Sequence, residues 1–372
     1  MYQTDLELKS SRSGHKKSDT IAKVILVVDL GDFGIGDSVV AFGKLKMLKS
    51  FLENASVDLC TNETHYAILK NNPFIDKVFF DRQQVDFEYY DIALIFSDKE
   101  PEYYEYFKQN RQGVHKEHRS SFTIYSVYNV NSIFPYYYDF MKYIQRRNDN
   151  SGQELYISKE EKDWAEKWFQ DAGCSKQDKV VVLLDNSSGR EKLINTDVYF
   201  EVVKYFLNMN NTRILIFDES GLGREKFYSE WLQQDVSEKF IFVKNPSLRE
   251  NITLLASDFT KLIFGPCTGL LHCASGIYNT FLRNNVDFQD VPLMLTYFGT
   301  PVDGFEVNEW DWWGQSLVDA IYVSHDQSNK KTIQKLMSPY YRCSPCSEFT
   351  AEMITDYVSK HYKDKLTELG LT

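Results

Sequence analysis

An α/β fold in two tandem halves is what this sequence predicts, and three observations carry the prediction. Two short, almost wholly aliphatic runs, KVILVVD at residues 23–29 and KVVVLLD at 179–185, have the composition of strands buried on both faces. Each runs into a loop of small and polar residues and then into a helical pattern, the unit from which parallel sheets are built. Between the halves, residues 145–152 read QRRNDNSG, polar and without period, which is the composition of a domain boundary.

The elements follow in order. Residues 1–20 are polar, mixed in charge and without the apolar stretch of a signal peptide, so they read as a flexible tail. The first strand leads through Asp29-Leu-Gly31-Asp-Phe-Gly34-Ile-Gly36-Asp37 into a helix expected over 37–51, with Val40, Leu45, Leu48 and Leu52 toward one side. Strand segments at 54–60, 77–80 and 92–96 make 21–150 one β-α half. The second half, 151–347, opens with an amphipathic helix at Lys159–Asp171. Strands follow at 179–185, 211–217, 240–243 and 261–264, with helices near 198–207, 224–233 and 270–274. Residues 348–361 form a last helix, whose apolar face must dock somewhere.

Composition narrows the function. With 43% hydrophobic and 26% charged residues among 372, the chain has the means to bury large cores, which excludes disorder as its main state. No run approaches the roughly 18 to 20 apolar residues of a membrane span. Six cysteines without a regular framework fit free thiols in a reducing, cytoplasmic setting, with peripheral contact at the inner membrane face left open. The balance of 42 basic against 53 acidic residues, a net charge of -11, argues against broad attraction to nucleic acid. Aromatic residues reach 15%, for packing or for stacking on sugars, and Trp310, Trp312 and Trp313 allow both.

In open α/β sheets ligands bind beyond the carboxyl ends of strands, so three loops matter. The first has the glycine density of a dinucleotide fingerprint but the order Gly-x-x-Gly-x-Gly, which is the wrong spacing. Gly34 and Gly36 permit close backbone approach, and Asp37 is either a helix cap or a working carboxylate. The second loop, Asp185-Asn-Ser187-Ser188-Gly189-Arg190-Glu191-Lys192, offers hydroxyls and cations suited to a phosphate, or is a solvated surface loop. The third, Cys267-Thr268-Gly269-Leu-Leu-His272, opens a helix whose free amides favour an anion; Thr268 is equally an ordinary cap and His272 a packed core residue.

Taken together, and in this order along residues 23–362, the three loops resemble glycosyltransferase family 9, the heptosyltransferases of bacterial lipopolysaccharide synthesis. Asn71-Asn-Pro73-Phe-Ile-Asp76-Lys-Val78 adds a fourth match, to the family's NPyvDrV segment, and Thr268-Gly269-Leu270 with His272 is similar to its DTGLSH. The resemblance implies the GT-B architecture: two Rossmann-like domains across a cleft, with residues 348–372 packing back on the first. It implies Asp37 as general base of an inverting, metal-independent transfer, with no cofactor. Ser187, Ser188, Lys192, Cys267, Thr268, Gly269 and His272 would bind a nucleoside-diphosphate sugar, ADP-linked, and Glu225, or else Glu219, its ribose or base. The sequence has no Asp-x-Asp motif for a bridging divalent ion.

The chain departs from the family at three places. Cys267 stands where the family has Asp. Residues 81–106 carry eight acids against Arg82 and Lys99, and a basic cluster of Lys108, Arg111, Lys116 and Arg119 with His115 and His118 follows, an acceptor site or a counterweight. Cys343 and Cys346 resemble part of a cysteine-rich segment, too few ligands for zinc unless Cys267 and Cys273 join them, so no metal is expected. The acceptor is a glycan, lipid or protein hydroxyl. Two rivals are a noncatalytic nucleotide-sugar or glycan-binding protein on the same scaffold and a nicotinamide-dependent oxidoreductase.

Overall fold

The computed structural model describes residues 23–29, 34–42, 45, 49, 55–97, 102, 105, 115–119, 122–126, 153–187, 189–218, 221–233, 235–236, 238–299, 318–335 and 344–372. The first half is a sheet of order β3-β2-β1-β4-β6-β5. Its elements are β1 (Lys23–Asp29), α1 (Ile35–Phe42), β2 (Ser56–Thr61), α2 (Glu63–Leu69), β3 (Lys77–Phe79), β4 (Ile92–Ser97), β5 (His115–Arg119) and β6 (Phe122–Ser126). The four strands β1 to β4 are parallel. β5 and β6 form an antiparallel hairpin laid on β4. The hairpin escaped the sequence reading because HKEHR, its outer strand, has none of the apolar alternation that marks a half-buried strand.

β1 is central, and its composition follows from that. Val24, Leu26 and Val28 face one core while Ile25 and Val27 face the other, and all five are wholly buried. This is the period of two expressed on a strand covered on both sides. β7 repeats the arrangement in the second half, with Val180, Val182 and Leu184 on one side and Val181 and Leu183 on the other.

The second half contains α3 (Lys159–Asp171), β7 (Lys179–Leu183), α4 (Thr196–Leu207), β8 (Thr212–Asp218), α5 (Arg224–Leu232), β9 (Phe240–Lys244), α6 (Leu248–Leu254), β10 (Thr260–Pro266), α7 (Gly269–Arg283), β11 (Leu293–Phe298), β12 (Asp319–His325), β13 (Lys331–Lys335), α8 (Ala351–His361) and α9 (Lys363–Glu368). The sheet order is β13-β12-β11-β10-β7-β8-β9, parallel except for β13 at the edge. β11, β12 and β13 go beyond the strands read from the sequence, as does α6. The expectation for residues 348–372 is corrected here. Ile354, Tyr357, Val358, Tyr362, Leu366 and Leu369 are buried in the core of the second half with Phe206 and Ile321, not on the first half. α8 lies against α4, and the backbone carbonyl of Leu371 accepts from the Asn210 N–H at 3.2 Å. An apolar helical face docks on the nearest matching surface, which β12 and β13 bring up beside it.

The halves meet through α1 against α7 and α2 against α6. Val24, Leu45 and Ile68 of the first half share one buried cluster with Leu271, Ala274 and Ile277 of the second, so the core runs through the junction. The expected boundary at 145–152 lies outside the described residues. From Gln153 onward the chain is laced along α7. The Leu155 N–H donates to the Gly276 carbonyl at 3.0 Å, Thr280 Oγ1 to the Leu155 carbonyl at 2.7 Å, and Gln153 Nε2 to Ser275 Oγ at 2.8 Å.

One guanidinium clamps this junction. Arg249 donates to Glu161 Oε1 and Oε2 at 2.9 and 2.7 Å, to the Tyr156 carbonyl at 2.7 Å and to the Ala67 carbonyl of α2 at 3.1 Å. Glu161 also takes Asn71 Nδ2 at 2.9 Å and, through its side chain, completes the capping box of α3. Despite burial, which works the other way, Arg249 and the Ser158 N–H hold the Glu161 carboxyl down to about 2. Removing one partner of so buried a pair costs about 3 kcal/mol, and that loss is expected for Arg249→Met in urea unfolding at pH 7. Because the folded value lies below the ordinary 4.5, the stabilisation is full above pH 4.5 and is lost as pH falls toward 2. Glu161→Gln should flatten that limb of the stability profile, and an unchanged limb would remove Glu161 as its source.

Candidate functional site

The carboxyl ends of β7 and β10, adjacent strands, open toward the first turn of α1, and the three loops singled out in the sequence meet there. Gly34 precedes α1 at φ 83°, a left-handed conformation that costs glycine nothing, and its carbonyl accepts from the Ser38 N–H at 2.8 Å to close the first turn. Asp37 is the third residue of α1, so it stands in the first turn and not at the cap, a residue reached by solvent whose carboxyl is nonetheless crowded by protein. Beneath it, Ser38 Oγ lies 3.4 Å from Nδ1 of the buried His65, which ties α1 to α2.

α1 and α7 abut end to end. A Cβ added to Gly269 would lie 2.8 Å from Ile35 Cβ and 3.3 Å from the Gly36 nitrogen, and one added to Gly36 would lie 2.9 Å from His272 Cδ2. Only a residue without a side chain fits at either point. His272 is thereby packed into the junction, 6% exposed, with Nε2 3.5 Å from Cys267 Sγ.

Two hydroxyls after these strands are buried and have no hydrogen-bond partner among the described residues: Ser187 Oγ after β7 and Thr268 Oγ1 after β10. Thr268 occupies the N-cap position of α7 yet makes no side-chain cap bond, so it is not an ordinary cap. A buried hydroxyl left unpaired costs about 1–3 kcal/mol, and such groups in native proteins generally have a ligand or water to meet. Thr268 stands at the amino end of a fifteen-residue helix, where free amides carry partial positive charge, and Ser187 follows the strand next to β10.

The charges are few and close. Burial pushes the Asp37 carboxyl above its usual value while the nearby Lys192 ammonium draws it down. Burial likewise pushes the Cys267 thiol up to about 12, against Lys192 and with Asp37, so the thiol is protonated at neutral pH. Lys192 belongs to a single turn, Arg190–Lys192, introduced by Gly189. Asp37, Lys192 and Cys267 therefore act on one another, with Thr268, Gly269 and His272 beside them at the start of α7, and Ser187 follows the neighbouring strand β7. Glu225 stands apart, in the first turn of α5, with its carboxylate 3.2 Å from Lys244 Nζ. Ser188, Glu219, Cys343, Lys108, Arg111 and the three tryptophans lie outside the described residues, and His115, Lys116, His118 and Arg119 fall on β5. Cys346 is buried in the second-half core and Cys273 in the cluster under α7, so these two thiols do not share a site.

Sequence reasoning missed one group beside these loops. Asp185, directly after β7, forms an ion pair with Arg224 and accepts from Tyr228 Oη at 2.9 Å, and Tyr228 Oη lies 2.7 Å from Tyr199 Oη. The available signal was an Asp at the carboxyl end of each of two aliphatic strands, Asp185 and Asp218, with one Arg in the next helix start.

No protein-family model matches the chain, and no curated protein matches it in sequence. Solved structures do match in fold. A glycosyl transferase of family 9 from Veillonella parvula superposes with a TM-score of 0.60 at 14% identity, covering 96% of this chain and 99% of its own. The E. coli ADP-heptose LPS heptosyltransferase II gives 0.58 at 13% identity over 94% and 99%. The chain thus has the fold of these transferases, the GT-B arrangement, along nearly its whole length. Among the described residues no helix is long and apolar enough to cross a membrane.

The abutting glycines give a direct test. Gly269→Ala forces its Cβ against Ile35 and should destabilise by about 1–3 kcal/mol in urea unfolding, as overpacking does. The double variant Gly269→Ala/Ile35→Gly, which removes the opposing Cβ, should lose less than the sum of the two single variants; strictly additive effects would show that the contact is not the cause.

Proposed function

We propose that this protein is a glycosyltransferase that moves a sugar from a nucleoside diphosphate to an acceptor hydroxyl with inversion, using Asp37 as base. One observation carries the reading. A carboxylate in the first turn of α1 lies within electrostatic reach of Lys192 and Cys267 at the start of α7, where Thr268 Oγ1 is buried and unpaired among the described residues, as is Ser187 Oγ after the neighbouring strand β7. That is the division of labour such a transfer needs.

The acceptor hydroxyl gives its proton to Asp37 as its oxygen attacks the anomeric carbon from the face opposite the diphosphate. The bond from that carbon to the diphosphate oxygen breaks, and the negative charge grows on the departing group. Ser187, Ser188 and Thr268 hydroxyls, the free amides at Gly269 and the Lys192 ammonium meet this charge. Cys267 and His272 line the sugar side without adding charge. The reading takes the diphosphate to be met by these groups with no cofactor and no bridging metal. ADP is favoured as the nucleotide because one of the two transferases sharing the fold is named for ADP-heptose. The acceptor is a glycan, lipid or protein hydroxyl, reached in the cytoplasm or at the inner membrane face, and Glu225 is assigned to the ribose or base. Lipopolysaccharide or another glycan is the class of product. A second reading, noncatalytic binding on the same scaffold, draws on Cys267, a neutral thiol where the resembling motif has a carboxylate.

Calorimetry with ADP, UDP, GDP, CMP and NAD, with and without EDTA, is the test. One nucleoside diphosphate should bind and keep its affinity in EDTA; no diphosphate binding at millimolar concentration, or a preference for NAD, would overturn the proposal. Asp37→Asn should lower kcat by about 10²- to 10⁴-fold and leave ADP affinity within about 2-fold, because the amide cannot take a proton. Full turnover in that variant would remove Asp37 as base, and binding without turnover in the wild type would favour the noncatalytic reading. Lys192→Ala should weaken ADP by about 10-fold. Since Asp37 works only when ionised, the rate is full above its raised pKa and is lost as pH falls through it. Lys192 lowers that pKa, so Lys192→Ala should move the acid limb of the rate profile to higher pH.

A further inference from the structure

Asp218 ends β8 and Asp185 lies two residues beyond the end of the adjacent parallel strand β7, and a single guanidinium joins them. Arg224 Nη1 is paired with Asp185 Oδ1, and Arg224 Nε lies 3.8 Å from Asp218 Oδ1. The three side chains are only 18% exposed for Arg224, 14% for Asp185 and 2% for Asp218. Asp218 shapes the loop that delivers the arginine: its carboxylate accepts the Leu222 N–H at 3.0 Å and the Arg224 N–H at 3.4 Å, across a turn with Gly221 and Gly223 at φ 58° and 73°. The second oxygen of Asp185 is held by Tyr228 Oη.

The network crosses from one ligand loop to another. Its backbone origin is the start of α5, next to Glu225, while its guanidinium rests on Asp185, two residues before the unpartnered Ser187 hydroxyl. Because the guanidinium is directed at two protein carboxylates, it is poorly placed to serve as a phosphate ligand. As a means of stability the arrangement has little to recommend it, since buried ion pairs are often no better than apolar packing. Its placement at the carboxyl edge of the sheet is what needs explaining.

We propose that Arg224 is a positioning residue that fixes the distance between the phosphate loop after β7 and the nucleoside side after β8. It makes the site selective for a ligand that spans both, a nucleoside diphosphate over a bare diphosphate. This rests on the donor reading above. A ligand confined to one loop does not sense the spacing, whereas a spanning ligand must restore it at the expense of affinity.

The experiment is calorimetry of wild type, Arg224→Met and Arg224→Lys with ADP and with inorganic pyrophosphate, alongside ligand-free thermal unfolding. Arg224→Met should weaken ADP by about 10-fold or more and pyrophosphate by no more than about 3-fold. Arg224→Lys keeps the charge but not the fork, so it should fold like wild type and recover part of the ADP affinity; it decides the matter should the Met variant not fold. Equal losses for the two ligands, or full ADP affinity in Arg224→Lys and Arg224→Met, would overturn the spacing role while leaving the donor reading intact. A wild-type protein that binds neither ligand overturns both.

Discussion

The close meeting of two helix amino termini, at Gly36 and Gly269, is the constraint from which the candidate site follows. With no side chain at either position, the backbone of α1 comes against the backbone of α7, and Ile35 and His272 fill the space on the flanks. Asp37, one residue beyond Gly36, is thereby brought within electrostatic reach of Lys192, which comes from a loop more than a hundred residues away. The same contact sets the partial positive charge of the α7 terminus beside the turn that carries the carboxylate. The continuous core below, and Arg249 at the far end of the junction, hold the two halves at this spacing.

Many hydroxyls of the second half are satisfied: Thr280 by the Leu155 and Gly276 carbonyls, Ser247 and Ser158 in capping boxes. Among the described residues Ser187 Oγ and Thr268 Oγ1, beyond the ends of β7 and β10, are not, and neither is Thr296 Oγ1 within β11. An unpaired buried hydroxyl costs stability, and under the proposed reading a bound anion would offset that cost at the ends of β7 and β10. The charged groups of the loops are divided accordingly. Arg224 is directed inward to Asp185 and Asp218, while Lys192 acts on Asp37 and Cys267.

Much of this was legible in the sequence, for reasons that can be named. A strand buried on both faces leaves a run such as KVILVVD, and small residues after it mark the ligand edge, so β1, β7 and the three loops were readable from composition alone. The first-turn place of Asp37 was not, since cap and first turn differ by fractions of a turn. Strands at the sheet margins were hidden as well, β5 because its residues are charged and β13 because KTIQK buries little. The docking of α8 depended on which surface β12 and β13 made available, and those strands were not read. The pair between Asp185 and Arg224 joins residues 39 apart through sheet order, a fact of topology that no local pattern records.

Cys267 decides how the site's charge is shared. A carboxylate at that position would stand close to both Asp37 and Lys192, since each of them already acts on the thiol. It would push the Asp37 carboxyl further up and take part of the ammonium's charge for itself. A thiol held protonated does neither. It keeps a weak contact with His272 and takes no ionic share of Lys192. Under the proposed donor reading the thiol would also put a soft, weakly polar wall where a carboxylate would accept hydrogen bonds, so its effect would fall on which sugar fits and not on the diphosphate.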